Sequence, residues 1–248
     1  MPLPDIVSET KRIFELVNSK NLKLRLLGGL AIKLHCPSAS HRSLKRKYPD
    51  IDFVGLSKQG REIKELFSEL GYQSNKRFNA VHGRKRLLFY DTENGRQIDV
   101  FLDFFEMCHG LDLRKRLEKD PRTIPLEDLL ITKLQIVEMN EKDIKDIITI
   151  LNDHELGPND NERIDVSYIA SLCSDDWGLY KTLTLSIEKI ADFLSDYQLK
   201  EEEKELISNR LNRISKRLED EPKSLKWKMR DRIGERQRWY ELPEEVQR

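Results

Sequence analysis

Asp50 and Asp52 stand one residue apart in Tyr48-Pro49-Asp50-Ile51-Asp52-Phe53, each acid followed by an apolar side chain. In a β-strand alternate residues share a face and rise about 3.3 Å each. The two carboxylates would then stand roughly 6–7 Å apart on one side, with Ile51 and Phe53 turned to a core. Mg²⁺ prefers hard oxygen ligands and commonly takes one or two carboxylates together with substrate phosphates. Two-metal sites hold their ions about 3.5–4 Å apart, within reach of such a pair. An exposed edge strand would give the same short pattern.

A third acid gives the pair more meaning. In the run Gln97–Leu102, Ile98, Val100 and Leu102 share one face, and Asp99, Phe101 and Asp103 the other. If this strand neighbours the Asp50 strand, Asp99 completes a three-carboxylate cluster. Three unpaired acids repel and raise one another's pKa, so a metal is their natural neutraliser. A hairpin with a polar outer face is the alternative. Upstream, Gly28-Gly29 interrupts the apolar run Leu26-Leu27-Gly28-Gly29-Leu30-Ala31. Glycine lets backbone approach a phosphate closely, and a helix N-terminus after it offers free amides to an anion.

These residues need elements to carry them. Ile6, Ile13, Phe14 and Val17 predict a covering helix over 5–19. Leu22–Leu27 reads as a strand entering the glycines, Leu30–Leu34 as a short helix stopped by Pro37, and 38–48 as a polar, basic loop. Asp50–Leu56 is the second strand and Glu62–Leu70 a helix ended by Gly71. Lys85–Tyr90 and Gln97–Leu102 are strands joined through Thr92-Glu93-Asn94-Gly95, where Asn-Gly signals a hairpin. Beyond about residue 110 strand signals vanish, and helices are expected at 125–139, 142–154, 165–173, 178–196 and 200–219. The expected fold is therefore α+β, a mixed sheet with flanking helices over residues 1–118, followed by an all-helical domain over 119–248.

The 248 residues are 38% hydrophobic and 35% charged, with no net charge. That describes a globular chain, and no apolar run is long enough to span a bilayer. The N-terminus lacks a secretory pattern, and three dispersed cysteines suit a reducing compartment. A cytoplasmic protein with no membrane partner is expected. Charge is uneven: Arg42–Lys47 reads RSLKRK, Arg84-Lys85-Arg86 is a second basic knot, and 210–238 is rich in Lys and Arg. Such blocks are usually solvated helix faces unless they cluster at a site. His35-Cys36 and Cys108-His109 have poor spacing for zinc. Trp227, Trp239 and Tyr240 suit helix packing better than base stacking.

The order strand, Gly-Gly, helix, loop, Asp-Ile-Asp, helix, then a hairpin bearing Asp99, resembles the nucleotidyltransferase superfamily of the DNA polymerase β type. The resemblance covers roughly residues 22–103, with a longer spacer between Gly29 and Asp50 than in compact members. Pro125–Leu134 followed by Lys142-Asp143-Ile144-Lys145-Asp146 looks like the AbiEii-type branch. That branch carries a helical Lys and then Arg-Asp-x-x-Asp; Lys142 stands here in place of the Arg. It includes toxins of toxin–antitoxin pairs, some of which add nucleotides to tRNA.

The resemblance implies transfer of an NMP from an NTP such as ATP to a hydroxyl, releasing pyrophosphate. Two Mg²⁺ ions, or Mn²⁺, would be held by Asp50, Asp52 and Asp99, with Asp99 helping to deprotonate the acceptor. Gly28 and Gly29 would approach the triphosphate, and Arg42, Ser43, Lys45, Arg46 and Lys133 would bind it. Asp146 is implied by the motif more than by its place on its helix. Lys133 has independent support, because it falls inside the apolar arc of Leu126, Leu129, Leu130, Leu134 and Val137. A lysine facing inward needs a carboxylate, a phosphate or an exit for its ammonium. RNA or tRNA, a protein or a small molecule are the acceptor classes, and an antitoxin is the implied partner. The alternative is a catalytically weak or inactive member serving as a nucleotide-binding or interaction module.

Overall fold

The computed structural model describes residues 1–158 and 162–242. Two compact units divide the chain. The first comprises Met1–Ala31, Lys47–Phe105 and Leu111–Pro125; the second comprises Ile32–Arg46, Glu106–Gly110 and the chain from Leu126 onward. The change from strand to helix patterns in the sequence suggests one cut near residue 118. Along the sequence, segments 32–46 and 106–110 group with the chain from Leu126 onward. No helix among the described residues is long and apolar enough to cross a membrane.

The first unit is built on a mixed sheet of five strands, so the α+β expectation holds. In chain order its elements begin with α1 (Ile6–Ser19), β1 (Leu24–Leu27), the first four residues of α2 (Gly28–His35, whose remainder is counted with the second unit) and β2 (Asp50–Gly55). They continue with α3 (Gly60–Glu69), β3 (Gln73–Ser74), α4 (Lys76–His82), β4 (Arg86–Asp91) and β5 (Arg96–Leu102). A small sheet of β6 (Phe104–Glu106) and β7 (Gly110–Asp112) follows. The sheet order is β1-β2-β5-β4-β3, with β2 and β5 parallel and the other neighbours antiparallel. β2 and β5, whose adjacency the sequence leaves as a condition, share one ladder, Ile51 opposite Ile98 and Phe53 opposite Val100.

One face of this sheet is the core. Phe53 and Phe89 meet Phe67 of α3, with ring centroids 5.9 and 4.8 Å apart, and Phe14 of α1 meets Phe53 at 6.3 Å. The outer edge of β1 is closed by its own unit: Leu26 receives a bond at its carbonyl from Ile124 N–H and donates to Arg122 O. Buried Arg25 holds that segment in place, donating Nε–H to Asp120 O at 2.6 Å. The β4–β5 hairpin forms where Asn94-Gly95 predicts it, Gly95 taking φ +65°. Asp91 accepts the Glu93 and Asn94 amides and pairs with buried Arg96. α4 was not expected from the sequence.

From Leu126 onward the described residues of the second unit are mainly helical, with a two-residue parallel pair, β8 (Glu155–Leu156) with β9 (Arg163–Ile164). Its helices are α5 (Leu126–Leu134), α6 (Glu141–Asp153), α7 (Val166–Asp175), α8 (Trp177–Phe193), α9 (Glu201–Asp220) and α10 (Leu225–Ile233). Asn140 caps α6 in a reciprocal box with Asp143. At the other end Arg210 of α9 donates to the Leu151 and Asn152 carbonyls at 2.6 and 3.0 Å, satisfying acceptors that a helix C-terminus leaves open. Trp227 packs on Tyr180, and Trp239 on Trp177, so these aromatics serve packing within the unit.

In the first unit Glu9 is a fully buried carboxylate that ties α1 to the rest. It accepts two bonds from Arg12, one from the Tyr72 hydroxyl at 2.6 Å and one from Leu3 N–H at 2.9 Å. Burial alone would raise its pKa, but these donors outweigh burial and hold it below the ordinary glutamate value. A depressed folded-state pKa gives stability that is present above the unfolded value near 4.3 and lost as pH falls through the folded one. Glu9→Gln is expected to cost about 2–3 kcal/mol at neutral pH in urea titrations. The gap to wild type should shrink as pH drops from about 5 towards 2.

Candidate functional site

The expected site residues separate by unit. Gly28, Gly29, Asp50, Asp52 and Asp99 belong to the first; Arg42, Ser43, Lys45, Arg46, Lys133 and Asp146 belong to the second.

In the first unit the acids come together through strand register. Asp52 is paired with Asp99 across the parallel β2–β5 ladder, and Asp50 with Gln97. Paired residues in adjacent strands lie on one face about 4.8 Å apart at the backbone, so Asp50, Asp52 and Asp99 share the face opposite the aromatic core. Leu27, at the end of β1, is the antiparallel partner of Asp52. The chain then turns directly into α2, which begins at Gly28 rather than at Leu30. Gly28 takes φ +69°, and a Cβ there would lie 2.5 Å from Asp52 Oδ2. The glycine is needed twice over: for a left-handed backbone and for the space that the carboxylate fills. Amides in the first turn of a helix have no intrahelical partner, so α2 opens with donors beside that acid.

Asp99 departs from the expected picture of three unpaired acids. Its Oδ1 accepts from Arg86 Nε at 2.7 Å, and its Oδ2 accepts from Arg86 Nη2. This is a two-pronged guanidinium–carboxylate pair, the strongest kind of side-chain hydrogen bonding. Burial alone would lower the Arg86 pKa, yet the Asp99 carboxylate, with Asp52 adding to it, raises it. Arg86 is the residue that reading the sequence missed. The hairpin register contained the signal: Asp91 opposite Arg96 puts Arg86 opposite Phe101 and diagonal to Asp99.

Asp50 and Asp52 offer a hard-oxygen donor set on one strand face, which fits one Mg²⁺ completed by substrate phosphates. Asp99 does not fit as a third ligand while both its oxygens serve Arg86. Consistently, no group of three or more His, Cys, Asp or Glu suited to a metal occurs among the described residues. Cys36, Cys108 and Cys173 are buried free thiols. His109 Nε2 lies 2.8 Å from Thr182 Oγ1, and burial lowers its pKa.

In the second unit the expected phosphate ligands neutralise carboxylates. Lys133 does face inward, and its ammonium reaches Asp143 at 3.0 Å and Asp146 at 2.9 Å. Burial opposes its charge, but Asp146 and Asp143 together hold its pKa above the ordinary lysine value. Arg46 donates to both oxygens of Asp146 through two bonds of 2.8 Å. Asp146 is thus a nearly buried acceptor shared by two cations, and Asp143 serves both Lys133 and the α6 cap. Ser43 Oγ–H reaches Gln198 O at 3.2 Å, and Ser38 N–H reaches Asp153. The basic loop is therefore fastened to its own unit at three points, while the side chains of Arg42 and Lys45 are exposed.

No family model matches this sequence, and no curated protein matches it. Among solved structures, the antibiotic-resistance factor ANT(2'')-Ia is similar at 14% identity and TM-score 0.40, over 58% of this chain and 83% of that one. The lincosamide antibiotic adenylyltransferase LnuA, with lincomycin bound, is similar at 14% identity and TM-score 0.38, over 56% of this chain and 92% of that one.

Two substitutions probe these arrangements. Gly28→Ala should cost about 1–2 kcal/mol through the left-handed backbone alone and also displace the Asp52 carboxylate. Chemical denaturation measures the stability cost. Lys133→Met should cost about 3–5 kcal/mol, because breaking a buried pair leaves acids uncompensated. Unchanged stability in Lys133→Met would mean that the ammonium is not held by Asp143 and Asp146 in solution.

Proposed function

We propose that the chain is a divalent-cation-dependent nucleotidyltransferase that moves an NMP from an NTP to an acceptor hydroxyl. One observation carries this reading: the Asp52 carboxylate lies against Gly28 where β1 turns into α2, with Asp50 on the same strand face and Asp99 in register beside it. In such a transfer the acceptor oxygen bonds to the α-phosphorus, the bond from that phosphorus to the bridging oxygen breaks, and pyrophosphate leaves.

Each residue in the first unit has a part that its position supports. Asp50 and Asp52 would hold Mg²⁺, which on binding would offset the charge of the phosphates and polarise the α-phosphoryl group. Gly28, having no side chain, makes room for the Asp52 carboxylate, and the first-turn amides of α2 beside it can donate to a phosphate oxygen. Positioned cations and amides suit this chemistry because phosphoryl-type transition states spread negative charge over their oxygens. No metal or base role is assigned to Asp99, and no nucleotide contact to Lys133, Arg46 or Asp146, since their charges are already matched.

A second reading keeps nucleotide binding without transfer. The Arg86–Asp99 pair favours it, because it removes one acid from the expected triad. Incubation with each NTP labelled at the α-phosphate, Mg²⁺ and total RNA, the protein itself or hydroxylated small molecules separates the two. Label should move to one acceptor class and fall by roughly 10²-fold or more in Asp52→Asn. Transfer to tRNA would bring in the toxin role and its antitoxin partner. No transfer from any NTP, or transfer indifferent to Asp50→Asn and Asp52→Asn, defeats the proposal.

A further inference from the structure

A helix packed on a globular unit ordinarily turns its apolar residues inward. In the second unit α10 reverses this. At about 100° per residue, Leu225, Met229 and Ile233 fall within one arc of about 80°. They are 79%, 62% and 43% exposed. The opposite face does the packing. Trp227 meets the Tyr180 ring at 5.3 Å, Arg230 lies 4.5 Å from the Trp177 ring, and Asp231 accepts from Trp177 Nε1 at 2.6 Å. Ser224 caps the helix and Gly234, at φ +60°, ends it, so the apolar stripe runs the whole outer length.

Charge is sorted in the same way. Between 225 and 240 the acids are Asp231 and Glu235, and both are engaged within the unit, Glu235 by Lys181 at 2.7 Å. Arg230 is held by the Gly234 and Gln237 carbonyls. Lys226 flanks the apolar arc on one side, Lys228 and Arg232 flank it on the other, and Arg236 and Arg238 follow the helix end. These five cations are exposed and have no carboxylate partner among the described residues. Outward apolar side chains edged by unmatched cations complement a surface that is negative above and apolar beneath, the headgroup layer of an anionic bilayer. The long stems of Lys and Arg can lie along the apolar zone while their charges reach phosphates. RNA fits less well, because Leu, Met and Ile offer no ring for a base to stack on, and Trp227 and Trp239 are taken up by packing. A protein partner would have to supply a groove for this convex face. The geometry points to α10 as a peripheral anchor that lays Leu225, Met229 and Ile233 into an anionic lipid surface, with Lys226, Lys228 and Arg232 on headgroup phosphates. A segment too short and too charged to cross a bilayer can still lie on one. Nothing in this inference depends on nucleotidyl transfer.

The test floats the full-length protein with vesicles of phosphatidylcholine alone, or of phosphatidylcholine with about 30% phosphatidylglycerol. Binding is expected to the anionic vesicles only, and should weaken at least about tenfold between about 0.05 M and about 0.5 M NaCl. Met229→Asp and Arg232→Glu change the outer face of α10, and each should weaken vesicle binding about tenfold. Circular dichroism checks that the variants fold, and if Arg232→Glu does not, Lys228→Glu takes its place. Failure to bind anionic vesicles overturns the proposal. So does binding that Met229→Asp leaves unchanged, since charge alone would then account for it. Binding of total RNA, or concentration-dependent self-association, in place of vesicle binding would give the face to another partner and overturn it as well.

Discussion

The parallel pairing of β2 with β5 is the constraint on which the first unit depends. Parallel strands cannot be joined by a tight turn, so the chain between them must leave the ladder and return. It does so through α3, β3, α4 and β4, which brings the Phe67 ring onto the core face and the β4–β5 hairpin onto the other side of β5. The same pairing fixes register, and side chains alternate with a strict period of two. Ile51, Phe53, Ile98 and Val100 are buried because Asp50, Asp52 and Asp99 are not on their face. A slip of one residue would send the acids into the aromatic core and the aliphatics out.

Both units then meet the same difficulty, acids drawn partly out of water, and solve it with internal cations. Removing a carboxylate from solvent is costly unless its charge is matched and its lone pairs are occupied. Asp99 has Arg86; Asp146 has Lys133 and Arg46; Glu9 has Arg12 with Tyr72 and Leu3 N–H. Neutralised in this way, such acids hold elements together more than they attract ligands. Asp50 and Asp52, half-buried on the face of β2 away from the aromatic core, are the acids on which the proposed reaction draws, and a glycine makes room for one of them.

The sheet was legible where local patterns are strong. Alternating Ile98, Val100 and Leu102, the Asn94-Gly95 turn and the Asp-Ile-Asp strand all stood out, since strand period and turn chemistry are written in neighbouring residues. α4 did not, because its seven residues carry too little apolar periodicity to be told from a loop. The pattern starts α2 at Leu30, two residues after its first helical residue, because glycine is a poor helix former and reads as punctuation. Side-chain partners were least legible. Arg46 finds Asp146 across a hundred residues, and nothing in RSLKRK announces that one of its cations is committed. Lys133 was correctly read as facing inward, yet its apolar arc says nothing about whether a phosphate or a carboxylate receives it.

Gly28 shows how an absence of atoms can define a site as firmly as a side chain does. The volume that any other residue would occupy belongs to the Asp52 carboxylate, so the two positions are one steric object shared by two elements. A compensating change cannot be made at either position alone: enlarging the glycine evicts the acid, and shortening the acid leaves a void beside a backbone still bent for glycine. The two positions must therefore change together or not at all, which binds the identity of a backbone turn to that of a charged group 24 residues further along the chain.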